Sequence, residues 1–244
     1  MIRACDGSAR NLPSRPVREH VTMTAAPRGS PITEGVRSLE VRWIFPGQLE
    51  TAVAGWFGRF PALVESREDT YLLDPQLPGL SVKVRGGGAL EVKAYRGSPG
   101  LLEVAGRARG RLEFWQKWSL PLSPFSLFRQ GGGDPVGWRH VRKRRRISRF
   151  SLAGGRIVAP APGLGGEPGC EVELGEVRAS GQHWWTLGFE ATGPADLLRS
   201  ELQATAALVF GQALPGVEPG PNESRSYAEW LGQRPGADTD GCPQ

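Results

Sequence analysis

Cysteine is scarce in this chain. Cys5, Cys170 and Cys242 are the three among 244 residues, and they are too far apart and odd in number to suggest a disulfide framework or a CxxC metal site. A reducing compartment suits them, and a cytoplasmic location is expected. Histidine is as sparse: His20, His140 and His183 sit in no recognisable nucleophile motif, which makes Ser-His-Asp or Cys-His catalysis unattractive. No apolar run reaches the length that a membrane span needs.

Glycine and proline are abundant instead, at 34 and 21 residues. They imply many turns and poor helix continuity, while enough Val, Leu, Phe and Trp remain to build a core. The net charge of +5 favours anionic partners only weakly, so where the basic residues lie matters more than their sum. Length alone allows one all-β domain or two small ones.

Residues 1–36 read as a disordered or targeting tail. Pro13, Pro16, Pro27 and Pro31 interrupt a segment with scattered arginines and no sustained hydrophobic period, which cannot bury enough surface to offset the cost of ordering. It lacks the apolar middle of a secretory signal, but its Arg-rich, acid-poor character leaves an organelle transit peptide open, and Met23 is an alternative start. From Pro215 to the end the chain is again rich in Pro and Gly, with Tyr227 to Leu231 able to form a short docking helix.

The expected folded domain is 37–214. Leu39 to Phe45 alternates as a strand, with Glu40, Arg42 and Ile44 on one face. The spacing of Leu49, Val53, Trp56, Phe57 and Phe60 predicts an amphipathic helix. Glu68 to Leu73 reads as a strand, and Leu80 to Arg96 as a β-hairpin turning at Gly86 to Gly88. In that hairpin Lys83 and Arg85 share one face, as do Glu91, Lys93 and Tyr95. Arg111 to Leu120 alternates Arg111, Glu113, Trp115 and Lys117 against Leu112, Phe114, Gln116 and Trp118.

Phe125 to Asp134 reads as a mobile loop. Trp138 to Phe150, WRHVRKRRRISRF, is the most basic segment, and as a strand it carries Arg or Lys on both faces. Gly163 to Gly169 is a loop. Cys170 to Val177 places Glu171 and Glu173 on one face, where their repulsion must be relieved by water, a hard divalent cation or facing Arg and Lys. Gly181 to Thr192 puts Trp184, Thr186, Gly188 and Glu190 together, and a helix over Ala195 to Phe210 follows.

Seven successive candidate strands therefore carry ionic residues on one face. So many solvated outer faces would leave a sheet with few helices to bury its other side. A closed antiparallel barrel resolves this if the ionic residues point inward and helices cover part of the exterior. The fold class expected is α+β, mainly β. The interior must be wet and charge-compensated, as basic residues facing a polyphosphate would be.

The order of these features resembles the CYTH or triphosphate tunnel metalloenzyme superfamily over roughly residues 38 to 211. A strand bearing Glu40 and a helix precede ThrTyrLeuLeuAsp at 70 to 74, the paired VKVR and LEVKAY strands, a basic strand ending RRRISRF, CEVELGEV, and WTLGFEATG before a helix. The resemblance implies a closed antiparallel eight-stranded tunnel with flanking helices. The first strand departs from the family's Glu-x-Glu-x-Lys: Glu40, Arg42 and Ile44 stand there, so one carboxylate and the lysine are missing. Glu190 is followed by Thr192 where the family often shows two glutamates.

The resemblance implies a phosphorylated small molecule or polyphosphate in the tunnel, with Lys83, Arg85, Lys93, Lys117, Arg142, Arg144 and Arg146 holding phosphates. Glu40, Glu171, Glu173 and Glu190 would coordinate Mg2+ or Mn2+, which would position or activate a water for attack on phosphorus, with Glu171 and Glu173 as the catalytic pair. Two alternatives stand beside this triphosphate or organic-phosphate hydrolase. One is a tunnel that only binds an anionic ligand or partner, and the other a nucleic-acid surface around Arg142 to Arg149, which needs the basic strand on the exterior.

Overall fold

The computed structural model describes residues 35–77, 79–86, 88–122, 137–151 and 168–233. The readings of residues 1–34, of the 125–134 loop and of most of 163–169 lie outside the described residues. In chain order the strands are β1 (Val36–Pro46), β2 (Leu63–Leu72), β3 (Leu80–Arg85), β4 (Ala89–Gly97), β5 (Leu101–Val104), β6 (Ala108–Arg111), β7 (Glu113–Pro121), β8 (Trp138–Phe150), β9 (Gly169–Ala179) and β10 (Gln182–Thr192). Eight of them close into a barrel in the order β1-β10-β9-β8-β2-β3-β4-β7, antiparallel throughout. The expected closed eight-stranded barrel is therefore observed.

Alternation along each strand decides which side chains enter the lumen. On β1 the outward set Leu39, Val41, Trp43 and Phe45 is buried, and it packs with Val172, Leu174, Trp185, Leu187, Phe189 and Ala191. The main apolar core thus lies outside the barrel wall. Helix α2 (Leu198–Val209) covers it with Leu198, Leu202, Ala206 and Val209, and helix α1 (Thr51–Phe57) adds Val53, Trp56 and Phe57. Each large side chain removed from water there contributes about 1.5–3 kcal/mol.

Both helices are shorter than their apolar spacing predicts. Glu50 is extended at φ −68° and ψ 144° and Gly58 caps the far end of α1, with Pro61 following in the sequence. Pro194 to Leu197 forms a turn, closed by the Leu197 N–H donating to the Pro194 carbonyl at 3.0 Å, before α2 begins.

Two strand features escape the alternation rule. The first half of β2 carries mixed charge and lacks an apolar face, but it pairs with β8, setting Glu65 against Arg145 and Glu68 against Arg142. The β5-β6 ribbon covers part of β1. A Cβ at Gly110 would stand 2.6 Å from the Trp43 ring, and the Trp43 indole N–H donates to the Arg109 carbonyl at 3.0 Å.

After Pro215 the chain runs back along β1. The Ile44 N–H donates to the Glu223 carbonyl and the Arg225 N–H to the Arg42 carbonyl, both at 3.0 Å. Helix α3 (Tyr227–Gly232) follows, capped by the Ser226 hydroxyl accepting from the Glu229 N–H at 3.2 Å. Its Trp230 and Leu231 are buried against the inward-pointing Ile44, Tyr71, Val141 and Val177. One end of the barrel is therefore filled with an apolar plug. Among the described residues, no helix is long and apolar enough to cross a membrane.

Candidate functional site in the barrel lumen

The register places the lumen residues in rows across the sheet. In one row Glu113 of β7, Glu40 of β1, Glu190 of β10, Glu171 of β9 and Arg149 of β8 stand successively opposite one another. The next row reads Arg42, Gly188, Glu173 and Ile147. On the far side Tyr71 faces Lys83, which faces Glu91, and Lys93 faces Lys117. Eight basic and six acidic side chains line an interior cavity of about 130 Å³, and Ser226 and Tyr227 lie beside it at the α3 end.

Ion pairs fill this space. Lys93 donates to Glu40 at 2.6 Å and lies 3.5 Å from Glu190, which Lys117 also approaches at 3.5 Å. Lys83 reaches Glu91 at 2.8 Å, and Arg85 reaches the same carboxylate at 3.0 Å. Asp69, fully buried, is approached by Arg67 at 3.0 Å, Lys83 at 3.4 Å and Lys143 at 3.5 Å. Three cations share that one carboxylate. Glu173 takes Arg42 at 2.8 Å and also Arg145, which reaches Glu65 on its other side.

The electrostatics follow from burial and pairing. Burial would raise the Glu173 carboxyl, but Arg42 and Arg145 hold it well below the ordinary carboxylate range. Lys143 goes the other way: burial, reinforced by Lys83, pushes its ammonium well below the usual lysine value. Burial and then Glu190 raise Glu171, and burial raises Glu113.

The lumen brings together Lys83, Arg85, Lys93, Lys117, Glu40, Glu171, Glu173 and Glu190. The placement of Arg142, Arg144 and Arg146 is corrected: in β8 the odd-numbered Lys143, Arg145 and Arg149 point inward, so the even-numbered arginines lie on the outer wall. Arg142 pairs there with Glu68 at 2.7 Å and Arg144 approaches Glu176 at 3.5 Å. Alternation alone could not choose, because every position from Arg142 to Arg146 is basic and the flanking apolar residues conflict: Val141 and Ile147 point the same way as Lys143, whereas Phe150 points the other way, into the outer core. The nucleic-acid reading, which needs the basic strand outside, is met by this outer half alone. A larger cavity of about 640 Å³ lies on that wall, but the converging buried charges are in the lumen.

Sequence reasoning also passed over Arg67, Asp69 and Tyr71, hidden in the poorly patterned β2, and Tyr227. The Lys143 ammonium donates to the Tyr71 hydroxyl at 2.7 Å.

The expected ligands of Mg2+ or Mn2+ are the lumen carboxylates Glu40, Glu171, Glu173 and Glu190. Their oxygen chemistry suits a hard cation, but their arrangement does not. Glu40, Glu171, Glu173 and Glu190 each already hold a lysine or arginine, and among the described residues no three acidic, histidine or cysteine side chains are grouped so as to hold a metal ion. The repulsion of Glu171 and Glu173 is relieved by facing arginines.

No protein-family model matches the chain, and no curated protein matches it in sequence. Solved structures do. The PH1819 protein of Pyrococcus horikoshii OT3 is 15% identical, with 80% of this chain and 97% of that one covered and a TM-score of 0.41. A Mimivirus capping-enzyme triphosphatase is 10% identical, with coverage of 71% and 89% and a TM-score of 0.37. An RNA triphosphatase of S. pombe is 11% identical, with coverage of 74% and 80% and a TM-score of 0.36. The closed eight-stranded antiparallel barrel with an ionic lumen is the architecture that the order of the motifs implies.

Proposed function

We propose that the lumen binds the phosphates of a phosphorylated small molecule or a polyphosphate. The observation that carries this reading is Asp69, one buried carboxylate approached by Arg67, Lys83 and Lys143. Lys83 and Arg67 each reach a second carboxylate, Glu91 at 2.8 Å and Glu65 at 3.0 Å, so Lys143 is the cation left with a share of Asp69 alone, and an added anion stabilises such a site. In this reading Lys83, Arg85, Lys93 and Lys117 hold phosphate oxygens, and Lys143 and Arg145 take the part expected of Arg142, Arg144 and Arg146. The plug of α3 makes the lumen blind at one end, so a terminal phosphate group fits better than a chain threaded through.

Tripolyphosphate should raise the unfolding temperature of the full chain, and Lys83→Ala should weaken its binding by about tenfold or more, the scale of a lost charge-assisted hydrogen bond. Equal binding by the variant would remove the lumen from the account.

Hydrolysis is a second reading, favoured by Glu171. Its carboxyl stands opposite Glu190 in the lumen, where burial and Glu190 raise it against the opposing pull of Arg149 at 3.0 Å. That is the direction that suits a group giving a proton to a leaving phosphate oxygen, whereas Glu173, held between Arg42 and Arg145, positions those guanidiniums. Phosphate release from tripolyphosphate or ATP, measured with and without Mg2+ or Mn2+ against Glu171→Gln, tests it. No release above that control sinks the hydrolase and leaves the binding site.

A further inference from the structure

Arg42 is held in the lumen by a carboxylate, a hydroxyl and an aromatic ring. Its guanidinium donates to Glu173 at 2.8 Å and to the Thr186 hydroxyl at 3.3 Å, and its central carbon lies 4.7 Å from the centroid of the Tyr227 ring. Glu173 is two strands away from β1, and the row joining them reads Arg42, Gly188, Glu173. The middle position has no side chain. A Cβ at residue 188 would stand 2.7 Å from the Arg42 central carbon, so this glycine is what lets the guanidinium lie across β10 and reach its carboxylate.

The surroundings are those in which a divalent ion would be expected. Glu40 occupies the neighbouring lumen position on the same strand, and Glu190 stands opposite Glu40. A divalent ion binding these oxygens would meet a fixed positive charge at close range, and Glu173 is already bound to it. Arginine suits this position because its planar fork stays charged at any working pH and binds carboxylate and phosphate oxygens with the same geometry. The side chain keeps 16% of its surface accessible, which leaves part of it open to a ligand in the cavity that it lines.

We propose that Arg42 is the resident cation of this lumen, supplying by a side chain the positive charge that a divalent metal would bring, and that the polyphosphate ligand is taken up metal-free. This inference rests on the polyphosphate reading above and names the form of ligand that the site accepts.

Calorimetric titration of tripolyphosphate into the full chain, first in EDTA and then in excess Mg2+ or Mn2+, tests it. Binding in EDTA is expected, with affinity unchanged or lowered by the divalent ion, which competes for the phosphate oxygens. Binding that appears only with the ion, or that the ion tightens by about tenfold or more, overturns the inference and leaves the polyphosphate reading standing. Binding in neither buffer overturns that reading, and the inference with it. Gly188→Ala, which displaces the guanidinium without removing its charge, is expected to weaken metal-free binding by about tenfold or more while cooperative thermal unfolding persists. An affinity equal to that of the parent chain would overturn the role of Arg42.

Discussion

The ammonium of Lys143 lies 3.5 Å from the centroid of the Tyr227 ring, so a wall strand of the barrel and the helix that plugs it meet over one buried cation. That contact and the Tyr71 hydroxyl at 2.7 Å give Lys143 polar company beside Asp69, at 3.5 Å, a counter-charge that it shares with Arg67 and Lys83.

Its protonation should therefore respond to pH and to ligand. An unfolded lysine keeps its proton to about pH 10.4, whereas burial and Lys83 depress Lys143 in the folded chain. The unfolded state binds more protons between the depressed value and the ordinary one, so the contribution of Lys143 to stability should rise with pH through that interval. An anion in the lumen reverses the depression. Tripolyphosphate binding near the depressed value should take up protons, which calorimetry in buffers of different ionisation enthalpy reads; release of protons would contradict this placement.

The two faces of β8 should behave differently. Arg145→Ala removes a guanidinium bound to both Glu65 and Glu173 and should weaken tripolyphosphate binding by about tenfold or more. Arg144→Ala on the outer wall should change it by less than about twofold, since an exposed pair such as Arg144 with Glu176 contributes little to stability or to a site behind the sheet. Equal losses in the two variants would mean that the phase of the strand had been misassigned.

Glu173→Gln should be among the more destabilising polar substitutions. It leaves Arg42 and Arg145 buried without their shared carboxylate, a loss on the order of 3–5 kcal/mol, measurable by urea denaturation. Acid should act in the same direction. Unfolded glutamate titrates near pH 4.3, and Glu173 is held well below that. Its stabilisation is therefore complete above that pH and is lost as pH falls through the folded value. Glu171 and Glu113, both raised, have the opposite sign and should soften the acid transition.

The plug can be loosened selectively. Trp230, 3% exposed, stacks edge-on with Trp184 and Tyr227. Trp230→Ala should cost about 3 kcal/mol or more, but a helix as short as α3 has little stability of its own. Hydrogen exchange should accordingly speed up in α3 before it does in β9 and β10; uniform acceleration would mean that the plug and barrel unfold together.

Much of this architecture is written in the order of residues. Alternation in β1, β3, β4, β9 and β10 separates charged from apolar faces, and too many ionic faces for too few helices require a closed barrel with a charged interior. Lys83, Lys93, Glu171 and Glu190 turn into the lumen, as strands with only two sides require once the apolar side is outside. Alternation could not find β2 in full, whose charges are matched by β8 rather than by an apolar partner, nor the β5-β6 ribbon, whose four-residue strands are too short to show a period.

The tertiary structure alone decided what the charges face. A run of consecutive basic residues has no phase of its own, so only the pairing of β8 with β2 and β9 turned Lys143 and Arg145 inward and Arg142, Arg144 and Arg146 outward. Likewise, nothing in the local sequence joins Arg42 to Glu173, 131 positions away. They meet because barrel closure sets β1 and β9 on either side of β10, and because the position between them is a glycine.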